Sequence, residues 1–225
     1  VAFDKLDSSN EQEKLSALSL IPFQVRTTPE LFDTARNIQF FTKIEPLLHK
    51  KEPNRNEALV SFGKFIFYQH AQYNEELKVI DRCKKSIMES LDSDQSIYAL
   101  LAALIVRPST FQRESAIIFQ QPISSYLVNG IKSIIENNPS ERTFILSNFM
   151  IMADKIFLSD AFNLQSTILL FKSFIKLNIP NDLLTLSNAI QYSKLLYNPD
   201  LNLRKAVVNF LLYFNETNQS EAILL

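Results

Sequence analysis

A chain of 225 residues with only two glycines, Gly63 and Gly130, has almost no positions where the backbone can take a positive φ without strain. Average usage of about 7% would supply roughly 16. Two-residue hairpin turns, phosphate-cradling loops, dinucleotide-binding turns and strained nucleophile elbows all draw on that freedom, so they are nearly excluded. What remains is a chain of α-helices joined by breaks rich in Pro, Ser and Asn.

Composition narrows the class. Hydrophobic residues make up 46% and charged residues 21%, enough apolar material for a real core and too few charges for a disordered chain. With 23 Lys+Arg against 24 Asp+Glu the net charge is −1, a weak electrostatic footprint for a nucleic-acid binder. The basic doublets Lys50-Lys51, Lys84-Lys85 and Arg204-Lys205 are each diluted by nearby acidic residues. The longest apolar stretch, Phe144 to Leu158, is interrupted by Ser147, Asn148, Asp154 and Lys155 and is too short for a membrane span. Cys83 is the only cysteine, which forbids an internal disulfide and fits a reducing compartment, cytoplasmic or nuclear. Because the chain begins at Val1 rather than Met, it is expected to be one piece of a longer protein. The sequons at Asn215 and Asn218 are read as coincidences in an Asn-rich chain.

Caps and periodicity together predict one helix after another and no strand. Ser8, Ser9, Glu11 and Gln12 suggest a first helix over 9–20, stopped by Pro22. Thr28 before Pro29 suggests a second over 29–44. Leu59, Phe62, Gly63, Ile66, Phe67 and His70 form the stripe of a third, 54–71. Asn74 can cap a fourth, Ser93 opens a fifth that ends before Pro108, a short helix spans 109–120, and Pro122 starts the next. Further helices are expected from Pro139 to Leu158, Ser159 to Leu177, Asn181 to Leu196 and Asp200 to about Phe214, with the start of another at Glu221 to Leu225.

Helical hairpins recurring every 35 to 45 residues or so suggest a single all-α domain over 1–225, a short right-handed α-solenoid of about five to six antiparallel pairs. A compact all-α bundle is the rival packing. The segment from Asn198 to Leu211 places Asp200 in a turn, then Arg204 and Lys205, then a helix of small apolar residues. It resembles the second helix of a HEAT repeat, and Asp92 to Val106 resembles a looser version. The resemblance to the HEAT/armadillo superfamily implies a protein-binding scaffold. The size is also similar to tubulin-binding TOG domains, which read tubulin through a tryptophan in the first intra-repeat loop, whereas this chain has no Trp.

Chemistry-bearing motifs are missing. His49 and His70 belong to no HExxH and Cys83 to no CxxC, so neither a metal nor a cofactor is expected. His70 and Cys83 extend apolar stripes and read as core residues. Asp154 interrupts an apolar helix and reads as a solvated or ion-paired structural carboxylate, or else as a partner-binding or functional residue. If the helices pair in order, one edge collects breaks that display Phe23, Arg26, Tyr73, Arg107, Asn137 and Asn178. Those residues are ordinary turn residues or a linear docking edge for another protein. The expectation is a non-enzymatic interaction module of a larger intracellular protein. A TOG-like cytoskeletal domain and a nucleic-acid-associated solenoid are the alternatives.

Overall fold

The computed structural model describes residues 3–69, 72–150, 152, 161–176, 190 and 192–217. Among them are eleven α-helices and no strand, so the chain is all-α. No described helix is long and apolar enough to cross a membrane. The chain divides into two compact units, Val1–Ser115 and Ala116–Leu225.

The first unit holds α1 (Glu11–Thr27), α2 (Thr34–Ile44), α3 (Arg55–Gln69), α4 (Leu77–Met88), α5 (Asp94–Ile105) and α6 (Pro108–Glu114), with 3-10 turns at Phe3–Asp7, Pro29–Leu31 and Glu45–Leu48. Here α1 packs on α3 and α3 on α5, while α2 packs on α4 and α4 on α5. Phenylalanines fill the space between them. Phe40 and Phe65 stack at 4.0 Å between ring centroids, and Phe41 meets Phe62, Phe65 and Tyr73 edge-on at 5.2–5.8 Å. The mixed geometry suits the ring quadrupoles and fixes the cluster more tightly than area burial alone. Gly63 is required by close packing: a Cβ there would lie 2.5 Å from the Tyr98 ring, so α3 approaches α5 through the one residue that lacks one.

Several expected boundaries move, each for a local reason. Pro22 does not stop the first helix, which runs on to Thr27. The proline removes one N–H donor, but Leu18, Ile21, Pro22 and Val25 are all buried, and that packing holds the helix through the defect. The N-cap is Asn10, whose Oδ1 accepts from the Gln12 amide at 2.9 Å, and not Ser8 or Ser9. Thr28-Pro29 starts only a 3-10 turn; α2 begins after Asp33, whose carboxylate accepts from the Arg36 amide at 2.9 Å. Ser93 does open α5, through a reciprocal capping box with Ser96. The helix expected over 109–120 divides at Ser115 into α6 and a single turn, α7 (Ala116–Phe119).

The second unit contains α7, α8 (Ser125–Asn137), α9 (Arg142–Met150), α10 (Ala161–Lys176) and α11 (Leu201–Thr217), with 3-10 turns at Pro139–Glu141 and Lys194–Tyr197. Ser124 caps α8, not Pro122, its Oγ accepting from the Leu127 amide at 3.2 Å. Helix α10 packs on α8 and on α11, as its two apolar stripes require. Phe171, Tyr192 and Phe210 meet at 5.1–5.8 Å in the core of this unit. Asp200 opens α11 by accepting from the Leu203 amide at 2.8 Å. The helix expected over Asn181 to Leu196, and the one at Glu221 to Leu225, lie largely or wholly outside the described residues, as do His70, Asp154, Ser159 and Asn178.

Candidate functional site

The residues marked out along the expected docking edge take separate places. Phe23 and Arg26 are not in a break between helices. They belong to the last two turns of α1, because that helix continues past Pro22. Leu20, Phe23 and Arg26 follow at intervals of three on its solvent side, with Leu20 44% and Phe23 60% exposed. The Arg26 guanidinium carbon sits 5.7 Å from the centroid of the half-buried Tyr68 ring on α3, a cation–π distance, with Phe23 three residues before Arg26 on the same helix. Leu, Phe, Tyr and Arg thus form one surface cluster of the first unit.

Tyr73 goes inside. It is 5% exposed, and its hydroxyl donates to Gln69 Oε1 at 2.8 Å. Gln69 Nε2 in turn donates to the Phe32 carbonyl at 3.1 Å and to Asn37 Oδ1 at 3.0 Å. Asn37 Nδ2 donates to Glu76 Oε1 at 3.1 Å, and Glu76 Oε2 accepts the Asn74 amide at 3.2 Å. Asn37 and Glu76 are both buried. Burial, with the Glu76 charge adding to it, pushes the Tyr73 phenol upward. Every polar member has a partner, so the network ties α2, α3 and the α3–α4 connection together and leaves no group aimed at a ligand.

Arg107 forms a two-pronged ion pair with Asp81 of α4, Nε donating to Oδ1 at 3.0 Å and Nη2 to Oδ2. Asn137 lies at the exposed end of α8, in the second unit, where its amide donates to the Ser133 carbonyl at 2.8 Å. Of the docking-edge residues, the structure therefore brings together Phe23 and Arg26. Tyr68 was missed by sequence reasoning. Its signal was available, since it falls just off the buried stripe of Leu59, Phe62, Ile66 and Phe67, where an aromatic has no core reason to be.

Several other cationic side chains are committed to the fold. Arg55 donates to the Leu48 carbonyl at 2.9 Å, the Ser90 carbonyl at 2.6 Å and Asp92 Oδ1 at 2.9 Å. Arg142 donates to the Ile135 carbonyl at 2.6 Å, and Arg204 to the Asn198 and Pro199 carbonyls at 2.8 and 3.0 Å. A glycine with positive φ commonly satisfies the carbonyls at a helix end; here arginine side chains satisfy carbonyls at several of the connections. Lys84 donates to Glu114 at 2.9 Å and holds that carboxyl below its usual range. Lys43 pairs with Asp7 and Asp4, chiefly Asp7, and its own pKa rises.

Cys83 is fully buried, and burial above all pushes its thiol pKa up, the opposite of nucleophilic activation. Among the described residues no group of three His, Cys, Asp or Glu is placed to hold a metal ion. No protein-family model, curated protein or solved structure matches the chain.

Proposed function

We propose that this chain is a non-enzymatic protein-docking module of the HEAT/armadillo-like kind. The observation that carries the reading is the cluster of Leu20, Phe23 and Arg26 on α1, with Arg26 resting on Tyr68. A phenylalanine 60% exposed on a well-packed helix adds little to the core. Flanked by leucine, tyrosine and arginine, it has the composition of an interface anchor: apolar area to bury, beside a guanidinium that can meet a carboxylate. The partner surface it suits is an apolar pocket with an acidic rim.

The order of packing supports the repeat reading. In stacked helical hairpins each helix contacts the corresponding helix of the next repeat. The successions α1 on α3 on α5, and α2 on α4, have that order within the first unit. The commitment of Arg55, Arg107, Arg142 and Arg204 to carbonyls and carboxylates argues for a protein partner over a nucleic acid, which needs such groups free for phosphates.

Affinity purification from the native cell, with the wild-type chain and a Phe23→Glu/Arg26→Glu variant compared by quantitative mass spectrometry, tests the reading. A set of proteins lost from the variant, whose circular dichroism is unchanged, supports docking at this surface. Equal recovery of every protein by both chains overturns it.

A further inference from the structure

In the second unit, α10 and α11 enclose a groove of about 440 Å³. We propose that this groove binds a short extended acidic segment of a partner protein. Gln165, Ile168, Lys172 and Ile175 line it from α10, at offsets of three, seven and ten residues, and Asn202, Lys205, Ala206 and Asn209 from α11, at three, four and seven. Each set is one face of its helix. The buried Ile168 and Ala206, with the half-buried Ile175, make an apolar floor. Exposed Gln165, Asn202 and Asn209 make an amide rim, and the exposed Lys172 and Lys205 bring one cation from each helix.

Charge complementarity selects the occupant. Among the described residues no carboxylate lines the groove, and neither Lys172 nor Lys205 has an ion-pair partner. Two unneutralised cations across an apolar floor favour an anionic ligand that also carries apolar side chains. The amides refine the class. Asn and Gln each offer donors and an acceptor, which suits a peptide backbone presenting both N–H and C=O, whereas a phosphate can use only the donors. None of the described lining residues is an aromatic on which a base could stack, as single-stranded nucleic acid would use.

The lining of α10 from Gln165 to Ile175 spans about 15 Å, the length of roughly four to five extended residues. Along such a segment alternate side chains point to opposite faces, so apolar residues can meet the floor while acidic ones reach Lys172 and Lys205. This site extends the docking reading and lies in the other unit from Phe23, so the two have separate tests.

Fluorescence anisotropy with the full chain provides the measurement, using three labelled probes: a short peptide alternating glutamate and leucine, its lysine–leucine counterpart, and a single-stranded oligothymidylate. The glutamate–leucine peptide is expected to bind, with Kd raised at least roughly tenfold in Lys172→Glu/Lys205→Glu and less in Lys172→Gln/Lys205→Gln. Lys85→Glu, a charge reversal at an exposed position of α4 in the first unit, should leave that Kd unchanged. Binding that survives the lysine reversals, equal binding of the lysine–leucine peptide, or binding of the oligonucleotide in place of the acidic peptide overturns the proposal. Both lysines are exposed, so the variants are expected to fold, and circular dichroism checks this.

Discussion

Arg55, buried at the start of α3, donates from Nη1 to Asp92 Oδ1 at 2.9 Å across 37 residues of sequence. The same guanidinium reaches the carbonyls of Leu48 and Ser90, so one side chain joins the connection before α3 to the connection after α4. Replacement by alanine strands two carbonyls and removes the cation facing Asp92. The expected cost is about 2–4 kcal/mol, below the upper range for a buried pair because Asp92 is itself half exposed. Arg55→Lys should recover only part of it, since an ammonium cannot repeat the planar three-way geometry. Urea unfolding of the three proteins checks the order wild type, lysine, alanine.

The same contact carries a pH signature. Donation from Ser90 is the largest influence lowering the Asp92 carboxyl pKa, and Arg55 adds to it against the opposing effect of burial. A carboxyl whose folded pKa lies below its ordinary value of 3.8 contributes stability that is present above that pH. The contribution disappears as pH falls through the depressed value. Asp92→Asn should therefore weaken the fold at neutral pH and flatten the acid limb of a stability–pH profile measured by urea unfolding. An acid limb as steep in the variant as in the wild type contradicts the assignment.

The approach of Gly63 to Tyr98 gives a prediction whose sign can be reversed. A methyl group at Gly63 meets ring atoms at 2.5 and 2.6 Å, so Gly63→Ala should destabilise by about 1–3 kcal/mol despite alanine's better helix propensity. In a Tyr98→Ala background the obstruction is gone. There the same substitution should be neutral or stabilising by up to about 1 kcal/mol. A double-mutant cycle by thermal or urea unfolding measures the coupling, and purely additive effects would show that the ring is not what Gly63 accommodates.

The helical class was legible because the shortage of glycine removes other architectures and because Ser93 and Asp200 cap their helices through local chemistry alone. Pro22 shows where that legibility ends. Its local rule was outweighed by burial of Leu18, Ile21 and Val25, which depends on contacts made from far along the chain. The same error carried Phe23 and Arg26 from a helix into a supposed loop, although both were singled out. Tyr73 was expected at a surface and is buried, because its hydroxyl finds Gln69 four residues back in the sequence and its ring finds Phe41. Of the groove lysines, Lys205 stood out only as half of a basic doublet and Lys172 not at all: neither points to a groove until α10 and α11 lie side by side.

Cys83 supplies a probe of the first unit. It lies on the core face of α4, its Sγ 3.5 Å from the Phe41 carbonyl, and burial first, then the Glu45 charge, raises its thiol pKa. In the native protein at about pH 8 it should react with an aromatic disulfide reagent far more slowly than a free thiol. Full reactivity should return across the urea unfolding transition. Rapid labelling without denaturant would mean that this core opens readily.

The α1 surface separates binding from stability. Phe23 is largely exposed and Arg26 is exposed, so truncating either removes little buried area and strands no polar group of the core. Phe23→Ala and Arg26→Ala should each lie within about 0.5 kcal/mol of the wild type, the ordinary range for surface substitutions. Phe65→Ala, which empties the centre of the Phe32, Phe40 and Phe41 cluster, should cost about 3–5 kcal/mol. If Phe23 is an interface anchor, the ranking inverts for partner recovery: Phe23→Ala loses the partner from a chain that remains folded. A Phe23→Ala chain as destabilised as Phe65→Ala would instead place the ring within the core and remove the physical basis for docking at α1.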